Sequence, residues 1–398
     1  MKWKLSFFSL LVALALVASA CAQATPSVVV QTVVSTVLSP VEVVVTPTPL
    51  PKPEIAKTIH VDSLSEGTGT NFENLVIKPF AEEMGVNIEV VNGTYATQDE
   101  WLASVKAVPG EHCIGTYFSD FGLYNGVKQN LLQAFRLENM PNYANLDDRW
   151  KNRTIVSGDS NAYVATIDIG MYVFVYAKDK ITVQPDSYSP LFDPQYAGRI
   201  ALRDYGLYRI FQTAAYLGID PNNMSDQDVN TIFDTMKQQA KLARAYWQSS
   251  SQLDQLLANR EVWMSDYWFD TITRVGADGT NKLGQLNLGW WFPKEGGPIW
   301  AGGPVIAKGC DGLERTTAEM ILNYMLRPDV FLTYTASQGY IPTIRDDKYD
   351  KAAYFSRTPY LAAYQKAILD TGILLDVQKI LVNQDAWNER YAEMKLGK

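Results

Sequence analysis

The chain has 398 residues, of which 47% are hydrophobic and 20% are charged, and its formal net charge is −8. This composition is typical of a globular protein that is long enough for two domains. An acidic chain without long basic clusters argues against nucleic acid as the partner. There are two histidines and three cysteines but no Cys-x-x-Cys or His-x-x-x-His spacing, so we expect no metal and no cofactor.

Residues 1–20 have the organisation of a secretory signal peptide. Lys2 and Lys4 precede an apolar run, Leu5 to Ala18, that is too short to span a membrane comfortably. The following Ala-Ser-Ala-Cys21 resembles a bacterial lipobox, which implies cleavage before Cys21 and lipidation of its thiol. The alternative is an ordinary signal peptide followed by a chance cysteine. Removal of the two lysines with the leader would lower the net charge to −10.

Residues 21–54 are predicted to be the lipidated cysteine and a tether. The segment consists mostly of Val, Thr, Pro and Ser, and its prolines disfavour a helix and favour extended chain. At roughly 3.3 Å per residue it would reach about 100 Å from the membrane. Alternatively, Val28 to Val45 forms a strand, although Pro40 interrupts it. The two remaining cysteines, Cys113 and Cys310, either pair outside the cytoplasm or stay as buried thiols.

The first half of the folded part alternates predicted strands and helices. Small residues from Ser63 to Thr70 predict a loop, and Gly85 predicts a helix end. Such alternation predicts an α/β fold with a parallel sheet, whose ligands lie at the carboxyl ends of the strands. The predicted strands are Thr58–Asp62, Val86–Val91 and Cys113–Tyr117, and the predicted helices are Phe72–Met84 and Trp101–Val108.

The second half continues with a long apolar strand region, Tyr163 to Lys178. Ser225 is predicted to cap a helix, and Pro328 suits the first turn of another. Near the end of this half, two apolar runs flank a turn rich in glycine and proline, Pro293 to Gly297. The further predicted strands are Arg199–Arg203, Glu261–Asp270, Leu286–Phe292 and Pro304–Ala307, and the further predicted helices include Tyr208–Leu217 and Leu253–Ala258.

Several strings, in their order and spacing, resemble the spermidine/putrescine-binding proteins of ABC importers, a part of the extracellular solute-binding superfamily. The resemblance extends from about residue 58 to the end of the chain. The strings are LFDPQYAGRIALRD (191–204), LGIDP (217–221), AYWQSSSQ (245–252), FPKEGGPIW (292–300), NYMLRPDV (323–330) and QGYIPT (338–343), with PFAEEMGVNIEV (79–90) near the start.

The resemblance implies a type II periplasmic-binding-protein fold, in which two α/β lobes are joined by hinge strands and close on a ligand between them. Lobe 1 is predicted to comprise residues 55–166 and 296–345, and lobe 2 residues 167–295 and 346–398. The hinge crossings are predicted in Tyr163–Lys178 and before Pro293. The implied protein is a monomeric, non-enzymatic receptor, lipid-anchored outside the cytoplasm, that delivers a small organic solute to the permease subunits of an ABC transporter.

A polyamine needs carboxylates for its ammonium groups and aromatic faces for its alkyl chain. Two departures from the family stand out: Gly302 occupies a position where the family has an acid, and Arg209 falls roughly where another acid is expected. In the cleft, Arg209 would favour a carboxylate or phosphonate over a polyamine, whereas on a helix surface it would have no such effect. The predicted ligand-binding residues are Glu66, Ser119, Asp120, Phe121, Asp204, Arg209, Trp247, Ser249, Trp268, Asp270, Trp300 and Tyr340, and Asp266 is a further acid that could hold an amine.

Three other functions compete with this interpretation of the sequence. An exported enzyme is weakly indicated, because Gly67-Thr68-Gly69-Thr70 lacks the third glycine of a dinucleotide loop and no Gly-x-Ser-x-Gly motif occurs. A ferric-ion binder would need adjacent tyrosines, and the sequence has no Tyr-Tyr pair. An adhesive lipoprotein would not need the strings that form the cleft. Besides polyamines, the solutes left open are carboxylates, opine-like conjugates and phosphonates.

Overall fold

The computed structural model describes residues 53–397 except 65, 152–155, 157 and 275–278, and it leaves the side chains of residues 66 and 67 undescribed. The predicted signal peptide, Cys21 and all but the last two residues of the predicted tether lie outside this part of the chain. None of the helices in the described part is long and apolar enough to cross a membrane.

The described residues form eleven strands of one mixed sheet. Eight strands follow one another in the order β2-β1-β3-β10-β5-β8-β6-β7, while β4 and β11 pair with β10 and β9 pairs with β5. The strands are β1 Thr58–Ser63, β2 Glu89–Thr94, β3 Ile114–Ser119, β4 Leu132–Gln133, β5 Asp168–Ala177, β6 Ile200–Arg203, β7 Ala243–Trp247, β8 Met264–Trp268, β9 Leu288–Trp291, β10 Gly297–Ala307 and β11 Gly372–Leu374.

Helices cover the sheet, and a π-helical turn, Glu73–Ile77, joins the first two of them. The helices are α1 Glu66–Phe72, α2 Lys78–Met84, α3 Gln98–Ala107, α4 Asp120–Lys128, α5 Asp148–Lys151, α6 Gly206–Leu217, α7 Asp226–Leu242, α8 Ser250–Ala258, α9 Phe269–Thr273, α10 Lys282–Gln285, α11 Gly312–Met325, α12 Pro328–Gln338, α13 Lys351–Arg357, α14 Pro359–Thr371, α15 Val377–Ile380 and α16 Gln384–Lys395.

Local signals located several helix ends correctly. Gly85 and Gly218 end α2 and α6 in the left-handed conformation, with φ of 67° and 70°. Ser225 caps α7 in a reciprocal capping box with Asp228. The loop predicted from Ser63 to Thr70 is wrong, since α1 begins within it. Gly69 serves close packing there, because a Cβ at this position would lie 2.6 Å from Ser63 Oγ.

The sheet is not wholly parallel as the alternation of strands and helices predicted. β1 runs parallel to β2 and β3, and β6 runs parallel to β7 and β8. However, β10 is antiparallel to both β3 and β5, because the chain leaves one half of the sheet through β5 and returns through β10. The return crossing is therefore β10, which lies after the turn at Pro293 rather than before it.

Candidate functional site

Strands β5 and β10 pair where the two halves of the sheet meet, and we call this ladder the join. It places an acid among aromatic side chains. Residues two apart on a strand share a face of the sheet, so Asp168 and Tyr172 of β5 lie on one face. Asp168 is opposite Gly302 of β10, and Trp300 lies two residues before this glycine on the same face. On the other side of β5, Tyr172 is opposite Trp268 of β8. The register alone thus brings one carboxyl and three aromatic rings to the same region.

Asp168 is 5% exposed and is held by neutral donors. Its Oδ2 accepts hydrogen bonds from the Tyr117 hydroxyl at 3.1 Å and from Trp300 Nε1 at 3.3 Å, and its Oδ1 accepts one from the Ile341 amide at 3.3 Å. Burial, and then the charge of Asp270, raise the pKa of Asp168 to about 7, while the three donors act in the opposite direction. Near neutral pH the protonated and the ionised form of this carboxyl are therefore both populated.

Gly302 has no room for the side chain expected at its position. A Cβ there would lie 2.5 Å from the Phe118 carbonyl oxygen and 3.0 Å from the ring of Tyr117. The ring fills the space that an acid on β10 would need, and its hydroxyl bonds to Asp168. The acid at this point of the join therefore belongs to β5.

Two further carboxyl groups lie near this join. Asp120, at the start of α4, is 2% exposed and accepts a hydrogen bond from the Ala301 amide of β10 at 3.3 Å. Asp270 of α9 pairs with Arg274 at 2.9 Å, and Arg274 also donates to the Gln338 carbonyl at 3.0 Å. Burial raises the pKa of Asp270, and Arg274 partly offsets this effect. The three acids come from β5, α4 and α9.

Aromatic rings form a continuous wall beside the acids. The centroid of Tyr172 lies 5.4 Å from that of Trp300 and 6.4 Å from that of Trp268. Tyr208 of α6 lies 6.0 Å from both Trp300 and Phe121. The quadrupole of each ring attracts an organic cation, and the neighbouring carboxylates supply the countercharge. We call Asp168, Asp120, Asp270 and these five rings the acid–aromatic cluster.

A sequence profile of bacterial extracellular solute-binding proteins matches residues 76–363. The chain belongs to this family. Its members are extracellular, so the folded part of this solute-binding protein works outside the cytoplasm. A search of curated proteins gives no match.

Solved structures show which fold the solute-binding protein has. A putative spermidine/putrescine ABC transporter protein from Listeria monocytogenes is 19% identical, with a TM-score of 0.65 over 86% of this chain and 100% of its own. The TpPotD lipoprotein of Treponema pallidum is 17% identical, with a TM-score of 0.70 over 85% and 99%. MotA of Agrobacterium tumefaciens, in complex with glucopine, is 16% identical, with a TM-score of 0.65 over 85% and 99%. They confirm the predicted two-lobed type II fold.

Seven of the residues predicted to bind ligand lie in or next to the acid–aromatic cluster. Ser119, at the end of β3, is opposite Gly302 in the ladder, and its hydroxyl accepts a hydrogen bond from Gln98 Nε2 at 3.3 Å. The ring centroid of Tyr340 lies 5.8 Å from that of Tyr117. The other five of the seven belong to the cluster itself: Asp120, Phe121, Trp268, Asp270 and Trp300.

Arg209 lies outside this cluster. Only 2% exposed, its guanidinium pairs with Asp266 at 3.1 Å and donates to the side chains of Gln212 at 2.6 Å and Gln239 at 2.8 Å. Trp247 is fully buried, and its Nε1 donates to Asp266 at 3.2 Å. Asp266, on β8, is thus already engaged by the side chains of Arg209 and Trp247.

Three more predicted site residues are placed away from the acid–aromatic cluster or are not described. Asp204 accepts hydrogen bonds from Lys395 Nζ at 2.6 Å and from the Tyr391 hydroxyl at 3.2 Å. Ser249 caps α8 through the amide of Gln252. Glu66 is the first residue of α1, and its side chain lies outside the described part of the chain.

Sequence reasoning missed Asp168, Tyr117, Tyr172 and Tyr208. A signal for Asp168 was present, because it is a lone acid at the start of an otherwise uncharged strand of ten residues, all of them buried. An ionisable side chain in such a strand is costly unless it is hydrogen-bonded or paired, so its presence there is unusual. The tyrosines carried no comparable signal.

A metal site has little support in the described residues. The cluster with suitable spacing comprises Cys113, Cys310 and Glu314, but the two cysteines form a disulfide with a Cα–Cα distance of 4.8 Å, which removes their thiolates. This disulfide decides between the two alternatives left open for these cysteines.

A cavity of about 430 Å³ lies elsewhere in the protein and is lined by Lys178, Trp290 and other residues, none of them acidic. We therefore place the candidate site at the join and not in this cavity.

Proposed function

We propose that this solute-binding protein captures an organic solute with an ammonium group, of the spermidine/putrescine type, for an ABC importer. The observation that carries the proposal is Asp168, a carboxyl that is 5% exposed and takes part in none of the ion pairs among the described residues. Keeping such a group ionised without a countercharge is costly. A bound ammonium group would supply the countercharge and lower the pKa of this carboxyl.

The aromatic wall supports the same solute class. Trp300 and Tyr172 stand beside Asp168 and offer ring faces to a cation and to the alkyl chain that carries it. Asp120 and Asp270 are further carboxyl groups near the join, although Asp270 is already paired with Arg274. A simple carboxylate or phosphonate would meet repulsion at this point.

Binding would couple to closure of the two lobes. Phe121, in predicted lobe 1, packs its ring edge-on against Tyr205 and Tyr208, in predicted lobe 2, at 6.4 Å and 6.0 Å. A solute that touches both sides only in the closed form stabilises that form by its differential contacts. The permease subunits would then recognise the closed receptor.

The anchoring of the receptor rests on the sequence. Cleavage before Cys21 and lipidation of its thiol would leave residues 21–54 as a tether between membrane and receptor. We also propose that the receptor is a monomer. The proposed role is capture and release without turnover, and chemical conversion of a bound solute would instead indicate an exported enzyme.

A thermal-shift screen with a matched pair of variants tests the proposal. Spermidine or putrescine at about 100 times its dissociation constant should stabilise the protein by roughly 2.7 kcal/mol. Asp168→Asn should remove this shift, whereas Asp204→Asn, which changes a predicted acid outside the cluster, should keep it. Equal shifts in both variants, or shifts only with solutes that lack an amine, would contradict the proposal.

A further inference from the structure

At the edge of the acid–aromatic cluster lies Arg203, a cation that has no carboxylate partner in the described part of the chain. It is the last residue of β6, and its guanidinium carbon lies 4.9 Å from the ring centroid of Trp247 and 5.0 Å from that of Trp268. Its Nη1 donates to the backbone carbonyls of Trp247 at 3.1 Å and Gln248 at 2.5 Å. Among the described residues, none of the ion pairs includes Arg203, and its Nε is buried without a hydrogen-bond acceptor.

The neighbouring acid is already engaged. Asp266 pairs with the guanidinium of Arg209 and accepts hydrogen bonds from the Trp247 indole and from the backbone amide of Arg203. The two tryptophans and two carbonyls hold the guanidinium of Arg203 in place without neutralising it. A buried N–H without an acceptor, on a group that carries charge, is unfavourable, so an acceptor from outside the chain would relieve it.

Arg203 and Asp168 lie at opposite ends of one run of rings. Arg203 stacks on Trp268, the ring of Trp268 is inclined by 29° to that of Tyr172, and Tyr172 meets Trp300 edge-on. The indole of Trp300 in turn donates to Asp168. Burial raises the pKa of the Tyr172 hydroxyl to about 12, and the positive charge of Arg203 acts in the opposite direction.

We propose that the solute carries an acidic group as well as an ammonium group, and that Arg203 binds the acidic end while Asp168 binds the ammonium end. The inference rests on the proposed function and narrows its solute class from diamines to ω-amino acids and related conjugates. A guanidinium edge formed by Nε and Nη2 grips a carboxylate side-on through two N–H groups. The rings between the two ends would pack on the alkyl chain of the solute.

A ligand series with matched chain lengths tests the inference by calorimetric titration of the mature chain. Each set contains a diamine, the ω-amino acid and the fatty acid with the same number of carbons, from three to six carbons; putrescine, 4-aminobutyrate and butyrate form one set. We expect the best ω-amino acid to bind at least about tenfold more tightly than its diamine. Arg203→Gln should abolish this advantage, and Arg203→Lys should keep part of it.

Arg199→Gln is the matched control, because this exposed arginine also stacks on a tryptophan, Trp263, at 5.1 Å and donates to a backbone carbonyl. The Arg199→Gln variant should keep the wild-type preference for the ω-amino acid over its diamine. If the wild-type protein binds the diamine as tightly as the ω-amino acid, or if Arg203→Gln keeps the preference, the inference is overturned while the capture of amines stands. If only the fatty acids bind, or if nothing in the series binds, the proposed function falls with it.

Discussion

Asp168 and Gly302 face each other across the ladder between β5 and β10. The resemblance placed an acid on β10, at the position of Gly302. The ring of Tyr117 occupies that space, and a carboxyl stands instead on the neighbouring strand, where the same ring donates a hydrogen bond to it. At this point of the ladder the carboxyl therefore belongs to β5, and the facing position on β10 is a glycine.

The stability of the ligand-free protein should report the pKa of Asp168. The folded pKa of about 7 lies above the ordinary 3.8, so between these values the folded state holds more protons than the unfolded state. Stability from this group is therefore lost as pH rises from about 4 to 7, by up to about 4 kcal/mol. Urea unfolding of wild type and Asp168→Asn at pH 4 to 8 isolates the effect. A stability difference that does not change with pH would contradict it.

Amine binding should have the complementary pH dependence. An ammonium group favours ionised Asp168, so affinity should rise about tenfold per pH unit below pH 7 and level off above it. Titration calorimetry with spermidine or an ω-amino acid at pH 5 to 8 measures the slope. The Asp168→Asn variant should bind weakly and without this slope, and a wild-type affinity that falls as pH rises would count against the assignment.

Gly170→Ala should damage ligand binding through Trp300. A Cβ at Gly170 would lie 2.3 Å from the indole ring of Trp300, so the ring would have to leave its place over β5. We expect a loss of affinity of at least tenfold, about 1.4 kcal/mol, comparable to that of Trp300→Ala. Gly284→Ala is the control, because its nearest neighbour would be 3.8 Å away. Undiminished affinity in Gly170→Ala would remove Trp300 from the site.

Arg209→Met should lower the free energy of unfolding. The change leaves the carboxylate of Asp266, which is 1% exposed, without its guanidinium partner, and removal of one member of a buried pair costs about 3–5 kcal/mol. Arg244→Met breaks an exposed pair with Glu261 and should cost no more than about 1 kcal/mol. Urea unfolding compares the two variants. Equal losses would show that the pair of Arg209 with Asp266 contributes no more than a surface contact.

Reduction of the disulfide should destabilise the folded part. The bridge joins residues 197 positions apart, Cys113 before β3 and Cys310 after β10, and its loss should cost about 2–5 kcal/mol. Unfolding midpoints with and without reductant measure this cost, with a Cys113→Ser, Cys310→Ser double variant as the control. That variant should be insensitive to reductant, and a wild-type midpoint unchanged by reductant would rule out a stabilising bridge.

Local signals were sufficient for much of the fold. Ser225 and Gly85 marked helix ends because capping and left-handed glycine depend on a few neighbouring residues. Gly69 misled, because a glycine that permits close packing looks the same in a sequence as one that makes a turn. The resemblance predicted the two-lobed fold because the order of many weak strings carries more information than any one of them.

The sequence by itself determined the α/β class, the family and most of the aromatic residues of the acid–aromatic cluster. Only the tertiary structure showed which ionisable side chains are paired, because the partner of such a group comes from a distant part of the chain. Arg209 is neutralised by Asp266, 57 residues away, while Asp168 meets Tyr117, 51 residues away, and Trp300, 132 residues away. These long-range contacts leave Asp168 beside Trp300 and Arg203 beside Trp268, both outside the ion pairs of the described residues.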